Sequence, residues 1–420
     1  MYAKVFLNAK EEREILQGFP WVFDNEISHF KYRADEKNPA SEWVNAGLKD
    51  AAVSDGSLVE VCTKAGGFLG SGILNKKSKI TVRLLGNEHA DKISEDTEKY
   101  FEKKVEAAYN HRQLYYSPSD SYRLIFGEAD LIPGLICERF CTKEGKVFLV
   151  VQFLALACEV YRKEILKALK KICKPDGIFE KSDEAVREKE GLPLVSGWLD
   201  GKSFDTNIVI VENDVLLCVD IANGQKTGYF LDQKFNREGI KRFCHGKKVL
   251  DTFTHTGAFG LNAFKAGARD VTSVDISEDA VEMVKHNIRL NGAEKVVKAL
   301  CADVFDLLKK YEAEGEKFDV IILDPPAFTK SAKNIQKAYG GYKEINLRAM
   351  RLLNEGGILI TCSCSHFFDS NTFYDMIMHA AMDSHKKVQI LEKRGAGPDH
   401  PLLAGYPKSE YLKAAFCVVR

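Results

Sequence analysis

From about residue 201 to the end, apolar strand-like runs alternate with amphipathic helical stretches. That alternation restricts this half of the chain to a doubly wound, mostly parallel α/β sheet. Strands are expected at 248–253, 271–276, 296–302, 318–323, 357–362, 388–392 and 411–419. The helix after the second of them is expected to start at Ser277 as N-cap, with Glu278 and Asp279 in its first turn. Val281, Val284 and Ile288 recur at helical spacing and face the sheet, and Gly292 closes the helix. The last two strands are joined through Gly395, Gly397, Pro398 and Pro401, a connection that suits a final antiparallel strand.

Sheets of this kind bind ligands beyond the carboxyl ends of their strands. Acids recur there. Asp251 sits near the end of the first strand, Asp275 follows it by 24 residues at the end of the second, Asp303 ends the third and Asp324 the fourth. The turn Thr254-His255-Thr256-Gly257-Ala258-Phe259-Gly260 lacks the G-x-G-x-x-G pattern that admits a pyrophosphate. A cofactor with an uncharged linker between ribose and reactive group fits better, which points to S-adenosyl-L-methionine. Asp275 would accept from the ribose hydroxyls and Asp303 from the adenine amino group, with helix capping as the plain alternative for Asp251 and Asp275. Asp324 is followed by Pro325-Pro326, which fixes the backbone and removes N–H donors beside a ligand. Upstream, the aromatics of Lys226-Thr227-Gly228-Tyr229-Phe230-Leu231-Asp232-Gln233 are placed either to line a cofactor's methionine arm or simply to start a helix.

The remaining half reads differently. Residues 1 to about 85 form short strands (3–7, 58–62, 68–74, 80–85), with Gly66-Gly67 at hairpin spacing, and imply a small β-barrel interrupted by a polar loop from about 31 to 55. Lys76, Lys77, Lys79 and Arg83 gather near one hairpin, as a solvated turn or an RNA phosphate-binding edge. Residues 86–200 are mixed α/β, with helices near 94–114 and 159–173, the second rich in Lys and Arg. The implied division is 1–85, 86–200 and 201–420.

Sixty basic and sixty acidic residues cancel, which argues against broad polyanion binding but not against a local patch. No apolar run is long enough to span a bilayer and the first ten residues lack a signal-peptide pattern, so a cytoplasmic protein is expected. The eleven cysteines include no CxxC pair, so thiols in a reducing compartment are expected, without metal. A homodimer is compatible with the sequence.

Several of these blocks, in order, resemble one family. They are 226–233, 251–257, Asp275, Asp324-Pro325-Pro326-Ala327-Phe328, Gly341-Tyr342-Lys343-Glu344-Ile345-Asn346, Ser363-Cys364-Ser365 and Asp399-His400-Pro401. Gly18-Phe19-Pro20-Trp21-Val22-Phe23, 120–125 and Arg139-Phe140 complete the set. The chain is similar to bacterial large-subunit ribosomal RNA cytosine-5 methyltransferases. The resemblance implies an N-terminal PUA domain, a central α/β domain and a C-terminal class I methyltransferase with a Rossmann-like sheet. It implies S-adenosyl-L-methionine held by Gln233, Asp251, Thr256, Gly257, Asp275, Asp303, Asp324 and Pro325, with 23S ribosomal RNA as partner. Cys364 falls on the family's nucleophile, with Asp324 as its catalytic companion.

Carbon-5 of cytosine is a poor nucleophile until a thiolate adds at carbon-6, so the chemistry requires a cysteine. A thiol titrates near ~8.5 and needs a cation or donors to ionise at neutral pH. Lys330, Lys333 and Lys343 are the candidates for that charge. Cys362, two residues earlier, faces the same side of the strand. Ala327 stands after the diproline, where other RNA cytosine-5 methyltransferases carry a second cysteine, so another base must release the product. A methyltransferase acting on a guanine nitrogen would keep the acids and diproline but not need Cys364. A catalytically idle RNA-binding protein and an NAD-dependent oxidoreductase are the further readings.

Overall fold

The computed structural model describes every residue except Met1, Glu36, Lys37, Pro39, Lys202 and Lys330. The chain divides into two compact units, neither continuous in sequence. One comprises Met1–Asp205, Ile221–Thr227 and Pro398–Ser409; the other comprises Thr206–Asp220, Gly228–Gly397 and Glu410–Arg420.

The first unit holds two sheets. The seven strands of one lie in the order Trp21–Phe23, Ile80–Gly86, Phe68–Leu74, Leu58–Cys62, Ala3–Leu7, Ile27–Arg33 and Trp43–Ala46. Val5, Leu7, Val22, Phe30, Val59, Val61, Leu74 and Val82 point to one side and form its core, as strand alternation requires. The stretch from 31 to 55, expected as a polar loop, contains the strand Trp43–Ala46, which pairs Val44 with Tyr32 and Ala46 with Phe30. Four residues are too few for alternation to announce a strand. What seats it is tertiary: the Arg33 guanidinium carbon lies 4.3 Å from the Trp43 ring centre.

The second sheet of this unit runs Val195–Trp198, Gly177–Ser182, Val147–Phe153, Leu135–Cys141 and Tyr122–Phe126. Helices Thr97–Gln113 and Arg162–Cys173 accompany it. Three lysines of the basic run on the latter are paired with acids: Lys167 with Glu98, Lys171 with Glu102 and Lys170 with Asp200. The segment 398–409 is fastened by its own backbone and side chains. Asp399 is fully buried; its carboxylate accepts from the Arg123 amide at 2.9 Å and its carbonyl from Arg112 at 2.9 Å. Arg112 in turn forms a two-pronged pair with Asp130, 2.6 Å on each prong. Tyr406 packs on Trp21 with ring centres 4.9 Å apart.

The second unit carries a hairpin, Asn207–Glu212 with Val215–Asp220, and a seven-stranded sheet. We label its strands β1 (Lys248–Thr252), β2 (Asp270–Asp275), β3 (Val297–Cys301), β4 (Phe318–Leu323), β5 (Leu353–Ser363), β6 (Val388–Arg394) and β7 (Lys413–Val419). Their spatial order is β3-β2-β1-β4-β5-β7-β6. β7 runs antiparallel to both β5 and β6, as the sequence led us to expect, and the pairs among β1 to β5 are parallel. Ile321, Leu323, Leu359, Tyr342, Ile345, Phe368, Phe373 and Cys417 belong to one buried cluster between sheet and helices. The order reverses at β1 and β4, and ligand crevices form at that reversal. No described helix is long and apolar enough to cross a membrane.

Candidate functional site

Register places four strand ends in one row. Thr252 of β1 pairs with Val274 of β2 and with Leu323 of β4, and Leu323 pairs with Thr361 of β5. Asp275, Asp251, Asp324 and Cys364 therefore lie at or just beyond four neighbouring carboxyl ends.

After β1 the backbone turns sharply. Phe253, His255 and Gly257 adopt φ of +56°, +53° and +82°, and helix Ala258–Lys265 begins. Two non-glycine residues in the left-handed region within three positions mark a turn held by its surroundings. Asp251 does much of the holding: its Oδ2 accepts from Thr254 Oγ1, from the Gly260 amide at 2.9 Å and from Ser273 Oγ at 3.1 Å. At Gly260 a Cβ would stand 2.2 Å from Ser273 Oγ, so only glycine lets the helix approach β2 this closely. Burial raises the Asp251 carboxyl to a pKa of about 6. Its Oδ1 is buried with no protein partner. Thr256 is buried, and its carbonyl accepts from Asn287 at 2.9 Å.

Asp275 is half-buried at the end of β2. It accepts from the His255 amide at 2.9 Å and from the Ser277 amide at 3.1 Å, fixing the turn against the next helix start. His255, which the sequence did not single out, is driven down to a pKa of about 4 by burial and stays neutral near pH 7. Its ring meets Phe230 edge-on at 5.0 Å. Asp303 is exposed and caps helix Val304–Glu314 through the amides of Phe305 and Asp306, at 2.8 and 3.2 Å.

Asp324 accepts from Gln233 Nε2 at 2.9 Å, while Gln233 Oε1 accepts from Asn236 at 2.6 Å. That second bond fixes which end of the amide faces the carboxyl. Behind Gln233, a buried pair between Arg237 and Glu212 (2.6 Å), joined by the Tyr229 hydroxyl at 2.9 Å, anchors the segment. Burial, with Asp232 nearby, pushes Asp324 up to about 7. Pro325 is buried and Pro326 exposed. The loop beyond is stacked in place: Phe328 on Tyr342 at 4.5 Å, and Tyr342 on Phe368 at 4.7 Å. Ser365 Oγ donates to the Thr329 carbonyl at 3.1 Å, which ties the loop after β4 to the loop after β5.

Cys364 follows β5 directly and is half-buried; Cys362 is fully buried, and that burial drives its thiol well above the ordinary range. Of the three lysines weighed as charge partners, Lys330 lies outside the described residues, Lys333 is exposed, and Lys343 pairs with Asp383 at 2.6 Å. The cation at this strand end is another residue, Lys413, which opens β7 opposite Ser363. Its ammonium donates to the carbonyls of Ser365 and Tyr411, both at 2.7 Å, and is almost fully buried. Burial pulls its pKa to about 8, and Cys364 acts in the opposite direction. The available sequence signal was a lone charged residue opening an otherwise apolar strand.

In the first unit the proposed RNA-binding basic set separates. Lys77 and Lys79 are exposed; Lys76 donates to the Ala51 carbonyl at 3.1 Å. Arg83 is buried between Glu128 (2.9 Å) and Glu190 (3.0 Å), which lie on the connections beside the second sheet of that unit. Among the described residues no group of three or more His, Cys, Asp or Glu is placed to hold a metal ion.

The turn after β1, the half-buried Asp275, the orphaned Asp251 oxygen and the Gln233–Asp324 bond together fit a nucleoside cofactor without a pyrophosphate. Comparison with known proteins agrees. Residues 188–408 match the family described as S-adenosylmethionine-dependent methyltransferase, and residues 5–87 match the PUA-like domain. The chain is 36% identical over 424 residues to ribosomal RNA large subunit methyltransferase I of Photobacterium profundum, and 35% identical to that of Erwinia tasmaniensis. In both comparisons all of each chain is covered. A solved structure from Streptococcus mutans, assigned to the SAM-dependent methyltransferases, shares the fold with a TM-score of 0.77 at 22% identity over 99% of both chains. This chain belongs to the S-adenosylmethionine-dependent methyltransferase family, with a PUA-like domain at its N-terminal end.

Proposed function

We propose that the enzyme methylates carbon-5 of a cytosine in large-subunit ribosomal RNA through a covalent adduct on Cys364. The observation that carries this reading is the meeting of Cys364 and Asp324 at adjacent strand ends, tied by the Ser365–Thr329 bond. The names of the full-length relatives support ribosomal RNA as the substrate class.

Bound S-adenosylmethionine would supply an electrophilic methyl group, with Asp275, the 254–257 turn, Gln233, Asp251, Thr256, Gly257 and Pro325 as its holders. Asp303, engaged as a cap, would stand at the rim. The Cys364 thiolate forms a bond to carbon-6, and the electron pair displaced makes carbon-5 nucleophilic. Asp324, with its pKa near neutrality, presents a proton to ring nitrogen-3 as that negative charge develops. Once carbon-5 has taken the methyl group, a base removes its proton, the electrons of that bond re-form the 5,6 double bond and expel the Cys364 thiolate, and nitrogen-3 returns its proton to Asp324. Lys77 and Lys79 are the phosphate contacts of the basic hairpin, in a division of labour among 1–85 for RNA, 86–200 as the central domain and 201–420 for the chemistry.

The test is a ribosomal RNA substrate carrying 5-fluorocytosine. The wild type should form a stable adduct on Cys364, because fluorine cannot leave as a proton does. Cys364→Ala should lose methylation and keep cofactor binding. An adduct on Cys362 would move the nucleophile; full activity of Cys364→Ala would overturn covalent catalysis and favour a guanine nitrogen target.

A further inference from the structure

Lys413 is placed to bracket Cys364. In the antiparallel pairing of β5 with β7 it stands opposite Ser363, and its ammonium bonds the carbonyl of Ser365 at 2.7 Å. Cys364 is the residue between those two points. An ammonium carries three donors, and the second also goes to a carbonyl, that of Tyr411 at 2.7 Å. Among the described residues no carboxylate comes within ion-pairing distance of Lys413. The nearby acids are engaged elsewhere: Asp369 caps helix Ser370–Asp383 through Thr372 at 2.7 Å, and Glu410 accepts from Ser370 at 3.1 Å. A cation buried with only carbonyl partners is costly unless an anion joins it.

We propose that Lys413 is the positioning cation of this site, holding Cys364 as the thiolate that adds to the base. The inference rests on the reading of Cys364 as nucleophile. The thiol proton leaves to water, no other bond changes, and the ammonium balances the charge left on sulfur. Two other titratable groups beside Cys364, Tyr342 and Cys362, carry no positive charge. Burial pushes Tyr342 up to about 12 and the Cys362 thiol well above its ordinary range, so both are neutral near pH 7. Asp324, just beyond β4, is neutral or negative, and the exposed His366 packs its ring against Tyr411 at 5.5 Å. The same geometry explains why the sequence candidates were unnecessary: the charge comes from the strand that returns antiparallel beside β5.

The test is the pH profile of iodoacetamide alkylation at Cys364, read by peptide mass spectrometry on the full chain without RNA. The exposed Cys301 serves as internal reference. Wild-type Cys364 should titrate about one pH unit below the ordinary ~8.5 of a thiol. Lys413→Gln, which keeps a donor but loses the charge, should restore the ordinary value and slow alkylation at pH 7 about tenfold; Lys413→Arg should retain the wild-type profile. A wild-type profile at or above the ordinary value overturns the proposal, whether or not the variants fold, and so does an unchanged profile in Lys413→Gln. The two readings fail separately. A low titration with a fully active Cys364→Ala would sink the nucleophile and leave the ion pair, whereas an ordinary titration with an inactive Cys364→Ala would do the reverse.

Discussion

Asp324→Asn probes the carboxyl at the end of β4 without changing its shape. An Asp in water titrates near ~3.9, whereas burial and the neighbouring Asp232 and Asp251 raise Asp324 to about 7. Between those values the folded enzyme keeps a proton that the unfolded chain has released. Stability is therefore fully present below the lower value, falls as pH rises, and levels off above about pH 7. At about 1.4 kcal/mol per pKa unit, the loss from this one group between pH 5 and pH 8 is at most about 2.5 kcal/mol. The asparagine cannot ionise and escapes it. Urea unfolding at the two pH values measures the effect. All three tryptophans, Trp21, Trp43 and Trp198, belong to the first unit. Fluorescence then follows that unit alone, and the transition seen only by far-UV circular dichroism belongs to the second. The stability gap of that second transition between pH 5 and pH 8 should shrink by about 2 kcal/mol in Asp324→Asn, with methylation largely lost. Equal gaps in the two proteins would show that Asp324 titrates as an ordinary carboxyl and would remove its role as proton donor.

Two further outcomes follow from the site and from the basic hairpin. Asp275→Ala should weaken S-adenosylmethionine binding about tenfold or more by calorimetry, with the fold intact; equal affinity would take Asp275 out of the site. Lys77→Glu with Lys79→Glu should weaken RNA binding and flatten its dependence on salt while leaving cofactor affinity unchanged, and an unaltered salt slope would place the RNA surface elsewhere.

The sheet of the second unit was legible because buried strands announce themselves. β4 ends with its run Val320-Ile321-Ile322-Leu323 and spans the 318–323 that was read, and the other strands of that sheet lie within a few residues of their readings. The acids were legible because a polar residue ending an apolar strand stands out. The further duties of the acids were not: Asp251 also braces the turn and Asp303 caps a helix, and only hydrogen-bond partners reveal that. Arg83 and Lys413 mark the limit more sharply. The four cations of the first hairpin read alike in sequence, yet Arg83 is buried between carboxylates that lie 45 and 107 residues away. Lys413 comes beside Cys364 through an antiparallel register, and registers across a sheet leave no local trace. Trp43–Ala46 escaped for a similar reason, since its partner strand rather than its own pattern makes it a strand.

The segment 398–409 gives the first unit an unusual order of manufacture. Synthesis delivers Arg112, Arg123 and Trp21 early, but Asp399 and Tyr406, which bind and cover them, emerge only after the whole parallel sheet of the other unit has left the ribosome. The unit that starts first is thus finished nearly last. Vectorial folding cannot close it, and a nascent chain stalled before residue 398 would display Trp21 without Tyr406 and the Arg123 amide without the Asp399 carboxylate. Completion of the N-terminal unit therefore waits until residues 398–409 have been made.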